Sequence, residues 1–420
     1  MKYLLVNHVP LGRGDAPGTY RVGDLWLQDL AAQARAIQSV GGSLTVATPC
    51  LDSLDAKSGR GFGSKEIRPQ DHGFDYVPLP AYNSLKTYRA VKRQLADDLA
   101  RAISSATIVQ CDYGGYPFSL GQFTWPIAGK AGKKRIWIFD GGDPFPQWRF
   151  AANQDKNIVK RQAKLWVIRR FESFLRSAIP EADLVFAHNN SVVTRFKNVW
   201  GPHCHRFDRS FVTDDLLLSQ DQIAQRQAVL RDASKPLRMV AAGRQIAIKG
   251  TDHVLRAMKR AIAGGARLEL EVLGDGEELS KYKALATELG LDSAVRFSGT
   301  IPYGPRLFDN WATQHVMVIT NLTSEFSRNI ILGMARGLPL LTYSNPGDAL
   351  VEENNAGLVV PMGDIEKLSE AMLEADKNRE RLAPLIAKGV DLARERTLDR
   401  CHQRRAELAA ECVAQRSAAA

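Results

Sequence analysis

In the stretch TSEFSRNIILGMARGLP, residues 323–339, one carboxylate (Glu325) precedes Arg328 and Asn329 at the mouth of a short apolar-faced helix. That helix closes on Gly337 and Pro339. Its first amides, from Arg328 to Ile330, are expected to be unpaired and, with the helix dipole, to favour an anion. Glu325 could accept hydrogen bonds from the hydroxyls of a polyol. Phosphate on the helix end and hydroxyls on the acid would suit a sugar phosphate. The competing reading is a plain capping acid.

A second set of chemistry-bearing residues lies in AAGRQIAIKGTDHVLRAM: Gly243, Arg244, Lys249 and Gly250 follow a strand and precede a helix. Two cations beside a helix N-terminus make a pocket for a doubly charged group. Each charge-assisted hydrogen bond there contributes roughly 1.5–3 kcal/mol, enough to hold a diphosphate; solvated surface side chains are the alternative. The spacing is not that of a Walker loop. LGDGEEL places Gly274 at another strand end, as a ligand loop or as a turn with a helix cap.

GRGDAPG, with Gly14 and Gly18, approaches a dinucleotide fingerprint but has its third glycine displaced, leaving close backbone approach to a ligand and a simple turn both open. RIWIFDGGDPF ends a strand with Asp140 and Asp143. A carboxylate in the position of Asp140 could take a proton from a hydroxyl, or simply shape an Asp-Gly turn. The two acids are three residues apart and form no Asp-x-Asp pair, and the His203–His205 stretch has no further ligand near it in sequence. No essential metal and no cofactor are expected.

The elements that must carry these residues alternate. Short apolar runs such as YLLVN, TIVQCDY and RIWIF in the first half, and PLRMVAAG, LELEVL and HVMVIT in the second, are separated by helical periods. This predicts an α/β chain with parallel sheets covered on both faces, and with ligands at the carboxyl ends of the strands. The 420 residues suggest two domains, with a junction in the polar stretch 219–236.

No run of eighteen apolar residues is present, and the start reads as a first strand rather than a leader. Five scattered cysteines fit a reducing, cytoplasmic setting. The net charge of +10 favours anionic partners without choosing among them. Residues 156–176 form a basic helix with Trp166, Phe171 and Phe174; it could lie on acidic lipid at the inner face of a membrane, or pack its aromatics inward. No recognised nucleic-acid motif occurs, so no nucleic-acid partner is expected.

Taken together, GRQIAIKGTDHVLRAM, LEVLGDGEEL, VRFSGTIP, SEFSRNIILGMARGLPLL and NNAGLVVPMGD resemble the retaining glycosyltransferases of family four, group 1. The resemblance implies a GT-B fold: two facing Rossmann-like domains with a cleft between them. It suggests an N-terminal acceptor domain over 1–225, a donor domain over 226–397, and a helix near 398–415 returning to the first domain. It implies metal-independent transfer of a sugar, with retention, from a nucleotide-diphosphate sugar to a hydroxyl acceptor, with lipid-linked and polymeric glycans both open. Arg244 and Lys249 would grip the diphosphate, Glu325 the donor sugar, and Gly243, Gly274, Ile301, Arg328, Asn329 and Ile330 would line the donor site, with Gly14 and Gly18 across from it. Asp140 would stand where the family often has a histidine. The second acid of the family signature falls on Gly333, which would remove a ribose acceptor. A nucleotide-sugar-binding pseudoenzyme and a sugar-nucleotide epimerase are the rival readings.

Overall fold

The computed structural model describes residues 1–52, 64–114, 118–141, 143–188, 190–207, 210–324, 327–347 and 349–417. The chain divides into two compact units: residues 1–208 with 398–420, and residues 209–397.

The first unit runs β1 (Lys2–Val6), β2 (Leu11–Arg13), β3 (Tyr20–Gly23), α1 (Asp24–Ser39), β4 (Ser43–Leu51), β5 (Ser64–Ile67), β6 (Phe74–Pro80), α2 (Leu85–Ser105), β7 (Ile108–Asp112), α3 (Leu120–Lys130), β8 (Lys134–Phe139), α4 (Phe145–Asn153), α5 (Ile158–Glu181), β9 (Leu184–Ala187), α6 (Asn190–Arg195) and β10 (Cys204–Arg206). The second runs α7 (Gln220–Arg231), β11 (Leu237–Ala242), α8 (Thr251–Ala263), β12 (Leu268–Leu273), α9 (Leu279–Glu288), β13 (Val295–Gly299), α10 (Pro305–Ala312), β14 (Val316–Ile319), α11 (Asn329–Ala335), β15 (Leu340–Ser344), α12 (Ala349–Glu353), β16 (Gly357–Pro361), α13 (Ile365–Lys377) and α14 (Ala383–Arg394). The last helix, α15 (Leu398–Ser417), belongs to the first unit.

Each unit is built on a parallel sheet. In the second the order is β13-β12-β11-β14-β15-β16, all parallel. In the first the parallel strands run β6-β4-β1-β7-β8-β9-β10. Read in order of appearance, both contain the 3-2-1-4-5-6 arrangement of the Rossmann fold. The first sheet also carries β2, β3 and β5, of which β3 is antiparallel to both neighbours.

The strand sequences explain the layering. Along β11, Met239 and Ala241 pack into one core cluster and Val240 into another. Along β1, Leu4 and Val6 face one cluster and Tyr3 and Leu5 the other. Both faces of each sheet are therefore buried, and the strands read as continuous apolar runs. Helices start where the sequence supplies an acceptor: Ser84 and Thr87 form a capping box on α2, Ser219 and Gln222 one on α7, and Asp364 caps α13.

One expectation of the sequence shifts here, and one open reading is decided. The second unit begins near residue 209, not 226, because Val212, Leu218 and Ile223 are buried in its cores. The polar stretch 219–236 is thus mainly α7, which carries few but well-placed apolar side chains. Of the two readings open for GRGDAPG, the structure has the turn, between β2 and β3: Gly14 N–H donates to Thr19 O at 3.0 Å. The Asp15 and Ala16 amides both donate to Glu66 Oε1, at 2.9 and 3.3 Å. An internal carboxylate already occupies these donors of the loop. Gly18 has φ +76°, which suits the turn. Gly14 has no room for a side chain, since a Cβ would lie 2.1 Å from Thr19 Oγ1.

Helix α15 packs on α1 within the first unit. Arg35 bonds Asp399 at 2.6 Å and His402 Nε2 lies 3.2 Å from the buried Asp29 carboxylate. Arg405 reaches through to Gln110 Oε1 at 2.9 Å, and its guanidinium lies over the rings of Phe186 and Phe207.

Candidate active site

In a Rossmann-type sheet, neighbouring strands whose connecting helices leave in opposite directions open a crevice at their carboxyl ends. In the second unit those strands are β11 and β14, followed by Gly243 and Thr320. The chain from Gly243 to Gly250 is folded tightly here. Thr320 Oγ1 donates to the carbonyls of Lys249 and Gly250 at 2.9 and 3.1 Å. Leu322 N–H donates to Ile248 O at 2.8 Å. Gly250 sits at φ +66°, and a Cβ there would stand 2.4 Å from Thr320 O. Glycine is required on both counts.

The next strand presses from the other side. A Cβ on Gly274 (φ +109°) would lie 1.9 Å from Gly243 O, and one on Gly276 would lie 2.3 Å from Gln245 O. Gln245 is buried and fills the junction: its Nε2 donates to Gly243 O and Leu273 O, and its Oε1 accepts from Thr251 Oγ1 at 2.9 Å. The amides of Gly243 and Gly274 are spent on Leu273 O and Gly299 O. These two glycines therefore shape the loop and do not offer N–H donors to a ligand. Asp275 Oδ1 accepts from Gly276 N–H and stabilises its own turn.

This frame holds Arg244 exposed and Lys249 half-buried on one short loop. It leads into α8, whose N-cap is Gly250 in the left-handed region, with no side chain capping the first turn. A cation-bearing loop feeding an uncapped helix end is suited to an oxyanion.

Helix α11 differs from its sequence reading. Asn329 Nδ2 donates to Ala242 O at 2.7 Å, pinning the helix to the end of β11. Ile330 N–H donates to Ser327 O at 3.0 Å and its side chain is fully buried. The Arg328 guanidinium lies 5.5 Å over the Phe211 ring. The expected row of unpaired amides from 328 to 330 is thus broken at Ile330, and Asn329 acts as a brace. Glu325 lies outside the described residues. Ile301 is partly buried against the same core. Gly333 faces the sheet: a Cβ would be 2.9 Å from Met317 Sδ. A carboxylate at 333 would enter the apolar core beneath α11 and not a strand-end crevice.

In the first unit the corresponding strands are β1 and β7, and their ends carry a constellation that the sequence reading missed. Asp112 is 2% exposed. Its Oδ2 lies 2.8 Å from His8 Nδ1 and accepts from Asn7 Nδ2 at 3.0 Å; its Oδ1 accepts from Gly114 N–H at 3.0 Å. Asn7 Oδ1 accepts from Val9 N–H at 2.7 Å. Gly114 lies against the imidazole, where a Cβ would be 1.7 Å from Nδ1. The arrangement orients His8 with Nδ1–H toward the carboxylate and Nε2 as the basic nitrogen. The signal was present as polar residues directly after two apolar strands, but their pairing spans 104 residues.

Asp140, at the end of β8, is half-buried. Asp143 pairs with Arg195 and accepts from Phe145 N–H at 3.0 Å. Burial pushes the Asp143 carboxyl above its ordinary range, against the pull of Arg195. It ties the start of α4 to the end of α6. Among the described residues, no group of three or more His, Cys, Asp or Glu is placed to hold a metal ion.

Solved structures share this architecture. HepE from Anabaena, in complex with UDP, superposes with a TM-score of 0.66 at 14% identity over 98% of this chain and 100% of its own. WaaG, a glycosyltransferase involved in lipopolysaccharide biosynthesis, gives 0.56 at 15% identity over 97% and 98%. The fold is GT-B. Within it, residues 236–378 match the family model for glycosyl transferases group 1. The GT-B chain is also 30% identical over 153 residues to the lipopolysaccharide core biosynthesis glycosyltransferase LpsE of Rhizobium meliloti, covering 34% of this chain and 42% of that protein. It is 24% identical over 227 residues to a GDP-mannose-dependent monoacylated alpha-(1-6)-phosphatidylinositol monomannoside mannosyltransferase of Corynebacterium glutamicum, covering 51% and 58%. The matches span between 13% and 58% of the lengths of the curated relatives.

Proposed function

We propose that this protein transfers a sugar from a nucleotide-diphosphate sugar to a hydroxyl acceptor in glycan or glycolipid assembly. The observation that carries the reading is the Gly243–Gly250 loop. It presents Arg244 and Lys249 at the β11/β14 strand ends, inside the segment that matches the glycosyl transferases group 1 model. Arg244, Lys249 and the uncapped first turn of α8 bind the diphosphate. As the anomeric carbon–oxygen bond to the diphosphate breaks, they stabilise the charge that grows on the leaving oxygen, without a metal ion. The anomeric carbon bonds to the acceptor oxygen on the face the leaving group vacates, so configuration is retained. Glu325 meets the hydroxyls of the donor sugar.

The acceptor side belongs to the first unit. There His8, held by Asp112, is the group suited to take the acceptor proton, in place of Asp140. Similar proteins differ in base: HepE was solved with UDP, and the mannosyltransferase is GDP-mannose-dependent. A thermal-shift screen against uridine and guanosine diphosphates and their sugars identifies the donor. Product analysis by NMR then reads the anomeric configuration. A donor that is bound and turned over to an α- or β-linked product matching its own configuration supports the reading. Tight binding without transfer to any acceptor contradicts it.

A further inference from the structure

We propose that Tyr82, Tyr88, Phe118 and Phe123 form a platform on which a sugar ring of the acceptor stacks. It rests on the transfer reaction proposed above and names the class of acceptor. Four rings meet here. The Tyr88 ring centre lies 5.6 Å from that of Tyr82 and 5.1 Å from that of Phe118, both edge-on. It is stacked on Phe123 at 5.3 Å, with 27° between the planes. Tyr82 and Phe123 also pack on the core of the first unit. All four side chains are half-buried.

The fold explains why aromatic rings gather there. Helix α2 joins β6 to β7, and the strands β6-β4-β1-β7 run parallel, so its first turn stands at their carboxyl ends. The helix buries Leu95, Leu99 and Ile103 along one line. Tyr88 precedes Leu95 by two turns and continues that line past the stretch where the helix is fully covered. Phe123 stands on the first turn of α3, which leaves the same edge after β7. The Tyr82 hydroxyl donates to Phe118 O at 2.8 Å. The next residue, Ser119, donates through Oγ to Asp112 O at 3.0 Å. The platform is thereby tied to the residue whose carboxylate holds His8. Burial first, then the neighbouring Tyr88 and Asp112 groups, push the Tyr82 hydroxyl above its ordinary range.

Half-wet rings suit a ligand that is apolar on one side only. A sugar ring has such a side: its C–H bonds lie against the aromatic face while its hydroxyls keep their water. A lipid chain is apolar all round and gains most where it is covered on every side. None of the four side chains is a cation, so a phosphate finds no counter-charge in the platform itself.

The test uses the full chain with methyl glycopyranosides of glucose, galactose, mannose and N-acetylglucosamine, and with decyl phosphate as a chain-bearing control. Saturation-transfer NMR should show at least one glycopyranoside receiving saturation on the C–H protons of one ring face. Tyr88→Ala should weaken binding of that glycoside about tenfold, and Tyr88→Phe, which keeps the aromatic face, less than about threefold. Circular dichroism and the nucleotide-induced thermal shift should match wild type in both variants. With the donor found by screening, the KM for the glycoside should rise about tenfold in Tyr88→Ala. No glycoside signal, a signal unchanged in Tyr88→Ala, or binding of decyl phosphate alone would overturn the platform and leave the donor reading standing. Glycoside binding that Tyr88→Ala abolishes, with no nucleotide sugar turned over, would uphold the saccharide site and overturn the transfer reaction.

Discussion

Gly274 stands so close to Gly243 that a single added carbon would lie 1.9 Å from the Gly243 carbonyl oxygen. The contact joins the turn after β12 to the loop after β11, and it sets the path on which Arg244 and Lys249 are displayed. Gly274→Ala should cost about 1–3 kcal/mol in stability through overpacking alone, with further cost from φ +109°. Gly265→Ala, at φ +95° but in open space, should cost less. Chemical denaturation of the two variants checks this, and nucleotide affinity should fall only in the first.

Glu271 is a buried carboxylate in the second unit, accepting from Arg296 (2.7 Å), Ser298 (2.5 Å), Asn310 (2.9 Å) and Gln314 (2.9 Å). It ties β12 to β13 and α10. Glu271→Ala should destabilise by about 2–5 kcal/mol, because Asn310 and Gln314 lose their acceptor in the interior. Glu271→Gln should cost less. Melting curves of the two variants provide the measurement.

Burial, aided by the Arg238 charge, pushes the His315 imidazole down to about 4. Its Nδ1 accepts from Arg238 N–H at 3.1 Å, which requires the neutral ring. The unfolded chain titrates near 6.5. A folded value below the unfolded one means the contribution is complete above about pH 6.5 and is lost as pH falls toward 4. Stability measured across that window should fall more steeply for the wild type than for His315→Asn, which keeps an acceptor and cannot titrate.

His8→Gln and Asp112→Asn should lower sugar transfer by about 10²–10⁴-fold while nucleotide affinity changes less than about twofold. Single-turnover assays alongside calorimetry separate the two effects. Loss of nucleotide binding in both variants would place these residues in the fold or the donor site instead.

Much of the fold was legible because buried parallel strands must read as apolar runs, and because glycines at strand ends mark turns that only glycine can make. Gly274, directly after β12, is of this kind. What stayed hidden depends on tertiary partners. The donors of the Gly14 loop are taken by Glu66, some fifty residues on. Asn329 reads as a ligand-facing amide until Ala242 O is placed beside it. His8 and Asp112 each stand as a polar residue at the end of an apolar strand, but nothing local pairs them across 104 residues. The unit boundary lies earlier than the polar composition of α7 suggests, because Ile223 and Leu230 are enough to fasten that helix to the second unit.

In the proposed mechanism Arg244 and Lys249 hold the donor diphosphate. Calorimetric titration of the full chain with the nucleoside diphosphate found by screening tests it most directly. Arg244→Ala and Lys249→Ala should each weaken binding about 10- to 100-fold, and wild-type affinity should fall as salt rises. Wild-type affinity in both variants would mean that the diphosphate is held elsewhere.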